Sequence, residues 1–412
     1  MQNKFVLFNS VILYLLPIFI ITGPFLADLS VSIIALSFIF LTFKYKLYSY
    51  YNNKIVIIFF VWCALLIITS LISTHKYLSL ESSLFYFRFG LFSICVWYII
   101  ENNKNFLIIF FYFLFVSFII VLIDAYIQFF LGKNLLGYPY IDERLGGLFR
   151  DEKILGAYVV RMLPIIFALL TLSFIREKYR IYIFFIFLIL SDVIIFLSGE
   201  RSAFVYLILS TFYILLLINR YRLLRLVTIT LSFLILSLIT VSNDDVRNRM
   251  IEQTLTQTQI LEEDKKIFSS QHEAFYKTGM KMFFDNPVTG VGLKIYRHRC
   301  GEDKYYVKHG CTTHPHNTYV QILAETGILG FLPFMTFFIF FVYESILQFH
   351  SIWVKKRPYL SDYQVCMYAG VLISLWPIIP TTFFFHNWNS VIIFLPIGFL
   401  LASYNRNKKN NV

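Results

Sequence analysis

Cys311-Thr-Thr-His-Pro-His-Asn-Thr-Tyr-Val-Gln-Ile-Leu-Ala-Glu-Thr-Gly-Ile-Leu-Gly330 joins a long polar segment to an apolar one. Pro315 suits the first position of a helix, where its missing N–H would be unpaired anyway. That start puts His316 and Asn317 in the first turn, where free N–H groups and the helix dipole disfavour a positive charge. An imidazole there stays neutral, as a general base requires. Asn317, Gln321 and Glu325 are four residues apart and share one face of the helix. Gly327 and Gly330 predict the close approach of another helix one turn further on.

Outward from this stretch the chain is apolar. Of its 412 residues 58% are hydrophobic and only 15% are charged, with 47 Phe. Such a composition fits a polytopic α-helical membrane protein. Stretches near the length of a membrane span lie at about 5–22, 25–43, 55–73, 84–100, 106–131, 154–174, 181–198, 202–218, 224–241, 317–343, 363–384 and 388–404. The expected fold is therefore all-α with about 12 transmembrane helices. Residues 1–241 form a membrane domain of nine helices, 242–316 an external loop with short helices, and 317–412 a membrane domain of three. A retained anchor is expected at the N-terminus, because the first apolar run is too long for a signal peptide.

The net charge of +12 is a topology signal here, with no basic–aromatic patch of the kind that binds nucleic acid. Lys and Arg collect in alternate short connections: Lys44, Lys46 and Lys54; Arg176, Lys178 and Arg180; Arg220, Arg222 and Arg225; Lys355, Lys356 and Arg357. The positive-inside rule then places both termini in the cytoplasm and 242–316 outside. Cys300 and Cys311 flank a polar loop of that external segment and can pair in an oxidising compartment. Cys63, Cys95 and Cys366 fall in apolar runs and read as packing residues.

Charged groups near membrane depth are costly, so each is a functional candidate. Arg201 stands at a tight external turn in Ser198-Gly-Glu-Arg201, and Arg144 and Arg150 bracket a Gly-containing external loop. Arg161 lies two turns into the next span, where it either faces the site or snorkels to the interface. Arg88 and Asp124 sit within spans as a possible buried pair. With His314 and His316, these arginines suit an anionic diphosphate held by guanidinium groups while a neutral His accepts a proton from an attacking hydroxyl. His314-Pro-His316 has no carboxylate cluster beside it, so a metal site is not expected.

The spacing His316-Asn317, nine residues, Gly327, two residues, Gly330 resembles the signature of the O-antigen ligase family. Ser198–Arg201, Arg144-x-x-Gly147-x-Phe149 and Asn286-Pro-x-x-Gly-Val-Gly292 resemble further stretches of that family, in the same order. The resemblance implies a GT-C-like membrane glycosyltransferase of the bacterial inner membrane, with a large periplasmic loop before the tenth helix and an active site facing the periplasm. It implies a donor glycan on undecaprenyl diphosphate, a lipid A–core acceptor and no cofactor. Carried over, His316 is the base and Arg201 holds the diphosphate. The family's outer-loop Arg has no clear counterpart; His272 stands where it is expected, and Arg297 and Arg299 are the other choices. Arg88, Arg144, Arg150, Arg161, His314 and Asn317 complete the expected substrate-binding set. An O-antigen polymerase, which shares donor and fold, is the alternative reading, and a polysaccharide or lipid transporter is the reading of another class.

The charge asymmetry makes a topological prediction. A reporter inserted within 242–316 is active only as a periplasmic type, and one fused after Lys356 only as a cytoplasmic type. The opposite pattern at either point overturns the order of spans.

Overall fold

The computed structural model describes residues 2–172, 176–258 and 267–410, with side chains to Tyr404. The helices are α1 (Gln2–Thr22), α2 (Pro24–Tyr45), α3 (Lys54–Ile72), α4 (Lys76–Ser83), α5 (Arg88–Asn102), α6 (Phe106–Leu131), α7 (Leu155–Thr171), α8 (Glu177–Leu197), α9 (Arg201–Leu217) and α10 (Arg222–Ser242). The polar segment carries α11 (Asp244–Arg247), α12 (Gln253–Thr258), α13 (Ser270–Asp285) and α14 (Tyr296–Arg299). The chain then closes with α15 (Thr318–Trp353), α16 (Asp362–Ser374) and α17 (Asn387–Asn410).

Each of the twelve apolar stretches contains a helix among the described residues, but the count of full spans differs. Among the described residues nine helices are long and apolar enough to cross a membrane, with α4 and α5 counted together, and α7 and α9 are shorter apolar helices. The stretch 363–384 departs most from expectation. Its helix, α16, stops at Ser374, and Leu375–His386 runs on without helix. Pro377 and Pro380 remove two N–H groups and clash with a helical path. The first turns of α15 satisfy the backbone thus released. Asn317 Nδ2 donates to the Pro377 carbonyl (2.8 Å), Tyr319 Oη to that of Leu375 (2.7 Å), and Phe384 N–H donates to Gln321 Oε1 (3.1 Å). Asn317 and Gln321 of the polar stripe are thus buried against this non-helical segment, and Glu325, buried behind them, accepts from Gln321 Nε2 (3.0 Å).

Gly327 interrupts α15 with φ 58° and ψ −162°. The element that approaches it is the Asn286–Gly292 turn, where a helix had been expected. Val291 and Gly292 N–H donate to the carbonyls of Ala324 and Glu325 (both 2.9 Å). Ile328 and Leu329 N–H donate to the carbonyls of Pro287 (2.9 Å) and Val288 (3.2 Å). All four groups freed by the break are therefore paired, as burial requires. The turn is also fastened to the end of α3 and to α4, through Ser73 Oγ to the Val291 carbonyl (2.6 Å) and Leu293 N–H to Ser79 Oγ (2.7 Å).

Charged groups within the bundle find partners that spacing alone did not reveal. Arg88 pairs with Asp28 (2.7 Å) and Asn387 (3.0 Å) rather than with Asp124. Asp124 accepts instead from Leu135 N–H (3.0 Å) and Asn134 Nδ2 (3.2 Å), fixing the 132–149 loop. Arg225 and Asp192 form a buried pair (2.7 Å) that also engages Thr211 and Ser232, tying α8, α9 and α10. Cys300 and Cys311 are disulfide-bonded (Cα–Cα 5.0 Å), and Cys63, Cys95 and Cys366 are buried and free, as read from the sequence.

A Cβ at Gly327 would strike the Val288 backbone and its φ is left-handed, whereas one at Gly330 would meet mainly the rotatable Thr326 side chain. Gly327→Ala is expected to cost about 2–3 kcal/mol, and Gly330→Ala distinctly less. Thermal unfolding of the two purified variants checks this order; equal losses would remove the break from its structural role.

Candidate active site

The structure moves the start of the helix three residues downstream of Pro315. Asn317 is the N-cap, in extended conformation (φ −146°, ψ 124°), and its Oδ1 accepts from Tyr319 N–H (2.9 Å) and Val320 N–H (3.1 Å). An Asn side chain satisfies orphan donors that Pro cannot use, so the cap forms there. His316 is left outside the helix with φ 54°. A non-glycine residue in the left-handed region carries roughly 1–3 kcal/mol of strain and persists only where its surroundings hold it. Its carbonyl is held by Thr381 N–H at 2.8 Å.

Three imidazoles meet here. The His316 ring lies 4.0 Å from that of His314 and 5.8 Å, edge on, from that of His272, and 5.3 Å from Phe275. Burial pulls the His316 pKa down to about 4, helped by the neighbouring His272. Burial pulls His314 down to about 3, with His316 adding to it. The neutral imidazole expected from the sequence is therefore present, but desolvation is its main cause rather than a helix terminus. His314 Nδ1 meets Thr313 Oγ1 at 2.9 Å, while its Nε2 is buried without a partner. Among the described residues no group of three or more His, Cys, Asp or Glu side chains is placed to hold a metal ion.

Arginines converge beside His272. Arg201, first residue of α9, donates to Gln257 Oε1 (2.7 Å) and Thr254 Oγ1 (3.3 Å). Arg249, in the single π-helical turn Asn248–Glu252, donates to the Gly199 carbonyl (3.0 Å) and Gln253 Oε1 (2.8 Å). Arg144 donates to the Lys153 carbonyl (2.7 Å), and its Nε is buried and unpaired. None of the three is in an ion pair among the described residues. Burial followed by the Arg201 charge lowers the His272 pKa, which links the guanidinium cluster to the histidines. Glu200 acts as a counter-charge to Arg144, and its carboxylate caps the start of α7 through Gly156 N–H (2.6 Å) and Ala157 N–H (3.3 Å). Burial pushes its pKa up to about 7 against the pull of Arg144.

The remaining sequence candidates disperse. Arg161 is 4% exposed and does not snorkel; it packs over the Tyr206 ring (5.1 Å) with its Nε unpaired, close enough to Glu200 to be felt there. Arg150 turns away from the cluster, over Tyr138 (5.7 Å), at the rim of an apolar groove of about 570 Å³ between α1 and α6. Arg88 is spent on Asp28. Arg297 lies over Phe383 (5.4 Å), on the His314 side. Arg299 pairs with Glu302 (2.7 Å). Arg249 was missed because it sits in the run Asn243–Arg249, whose mixed charge reads as a solvated surface helix. The only sequence signal for it was its place in the polar segment before His272.

All of these groups lie at one end of the bundle, where α8 and α10 stop and α7, α9 and α15 begin. No curated protein matches the chain. The family model described as O-antigen ligase matches residues 184–335, the region that carries Arg201, Arg249, His272, His314 and His316.

Proposed function

We propose that the chain transfers a polysaccharide from undecaprenyl diphosphate to a sugar of the lipid A–core, as a GT-C-like ligase of the inner membrane. In this reading residues 1–241 and 317–412 are membrane domains, and 242–316 is a periplasmic segment folded over the site. The observation that carries the reading is the strained His316 imidazole packed edge-on against His272, which in turn feels the charge of an arginine cluster free of ion pairs. His316 takes the proton of the acceptor hydroxyl as that oxygen attacks the anomeric carbon of the donor sugar. The bond from that carbon to the diphosphate breaks, and the diphosphate leaves with the electron pair. Arg201, Arg249 and Arg144 neutralise its growing charge, with geometry fixed before the reaction begins. Arg249 fills the role sought for an outer-loop arginine, and His272 relays position between it and the base. Convergence of charge at one end of the bundle favours transfer over alternating transport across a midplane site.

A base with a pKa near 4 is weak, but a bound diphosphate raises it, because a nearby anion favours the imidazolium. The acid limb of kcat/KM, which reports the free enzyme, is therefore expected near pH 4, and that of kcat at a higher pH. Coincident limbs near pH 6.5 would place the titrating group elsewhere.

His316→Ala is expected to lose roughly 10²–10⁴-fold in kcat while still binding the lipid-linked donor. Near wild-type transfer by the purified variant removes the general base. In cells lacking the chain, intact core without long polysaccharide supports a ligase, whereas core bearing one repeat unit makes the chain a polymerase.

Arg201→Ala and Arg249→Ala are each expected to weaken donor binding by about tenfold or more, with Lys a poor substitute for the guanidinium fork. Titration of a diphosphate lipid into each purified variant checks this. Unchanged affinity removes that residue from the site.

A further inference from the structure

A second group of cations lies on the other side of the histidines. Phe383 packs 5.6 Å from the His314 ring, and its own ring is approached by the Arg297 guanidinium (5.4 Å) and the Lys294 ammonium (5.9 Å). His386 follows three residues on and feels both charges. Neither Lys294 nor Arg297 has an ion-pair or hydrogen-bond partner for its side chain among the described residues. Glu325 and Glu81 act on Lys294, and Glu152 and Asp28 on His386, only through space. Asp28 is already held by Arg88. Lys294 is also left-handed (φ 58°), which places its ammonium at the cost of backbone strain. That strain is sustained because the preceding Val291 and Gly292 are pinned to the break in α15. The buried, unpartnered Nε2 of His314 stands between this group and His316. Contacts thus run from His272, which feels the Arg201 charge, through His316, His314 and Phe383 to Arg297 and Lys294.

We propose that Lys294, Arg297 and His386 form a second anion subsite, which holds a phosphate group on the acceptor glycolipid while its hydroxyl lies at His316. The inference rests on the transfer reading above. The arginines beside His272 account for one anion, the donor diphosphate. A second set of unpaired cations, reached from the base in the opposite direction, needs a different one. An acceptor whose hydroxyl meets His316 must extend its neighbouring sugars away from the donor, toward Phe383. A phosphate there is caught by a guanidinium and an ammonium that the Phe383 ring keeps oriented from below.

The test uses the full chain in nanodiscs, with lipid A–core as isolated and after phosphatase treatment. Arg297→Ala and Lys294→Gln are each expected to weaken binding of the phosphorylated acceptor by about tenfold, and to leave donor affinity unchanged. The phosphatase-treated acceptor binds the wild type as weakly as the variants bind the native one. Arg297 is exposed, so its substitution spares the packing, and Arg297→Lys recovers part of the affinity. Equal binding of the phosphorylated acceptor by wild type and both variants overturns the subsite. So does a loss of donor affinity, or an equal loss of binding to phosphatidylglycerol vesicles, which makes the ligand a bilayer lipid. A wild type that binds the phosphorylated acceptor through Lys294 and Arg297 yet never transfers glycan to it leaves the subsite standing and fails the ligase reading instead.

Discussion

The break in α15 at Gly327 is the constraint on which the rest of the site depends. A helix interrupted among apolar neighbours exposes donors and acceptors that no water can reach, and each unpaired group costs about 1–3 kcal/mol. Here the cost is met in one place: two carbonyls and two N–H groups of the break exchange hydrogen bonds with Pro287–Gly292. Turn and helix therefore fold as one unit. The unit aims the start of α15, and so the Asn317 cap and His316, while its other end positions Lys294. Two sequence stretches about thirty residues apart are thus two halves of a single joint. Gly290 and Gly327 occur where any side chain would collide with the opposing backbone.

Electrostatics divides the molecule in a similar way. Deep pairs such as Arg225 with Asp192 are closed, each charge answered by its partner. At the site end the cations stay open. Half-burying several guanidinium groups without ion pairs is unfavourable in itself, and the hydrogen bonds they donate to Gln257, Gln253, Thr254 and backbone carbonyls only partly offset it. Neutral acceptors of this kind hold the donors in position and leave the charge without an ion-pair partner.

Much of this was legible in the sequence, and the failures have physical causes. Hydropathy located the long apolar helices, because apolar length is what a bilayer selects, and passed over the short polar α4. It overran at 363–384, where Pro377 and Pro380 outweigh an apolar composition. Spacing found the polar face of Asn317, Gln321 and Glu325 but not its use, since the partners come from a segment sixty residues away. The pairing proposed for Arg88 and Asp124 failed because helix adjacency is a tertiary fact that local charge does not encode. The disulfide was readable because its two cysteines flank one short polar loop. The neutrality of His316 was anticipated with the wrong cause: the burial that lowers its pKa comes from α13, which no local rule places against Pro315. Arg249 could not be distinguished from the surface charges that surround it in sequence.

The left-handed backbone of His316 has a meaning for how this chain changes over time. Glycine would occupy φ 54° with less strain, and asparagine adopts such a conformation readily. Stability alone therefore pushes this position away from histidine, and most substitutions that relieve the backbone discard the ring. Strain of this kind is tolerated where function repays it. A gene copy released from its task would be expected to lose the imidazole early, well before its apolar helices showed any sign of decay, because its ring contacts at the end of the bundle do not offset the backbone strain.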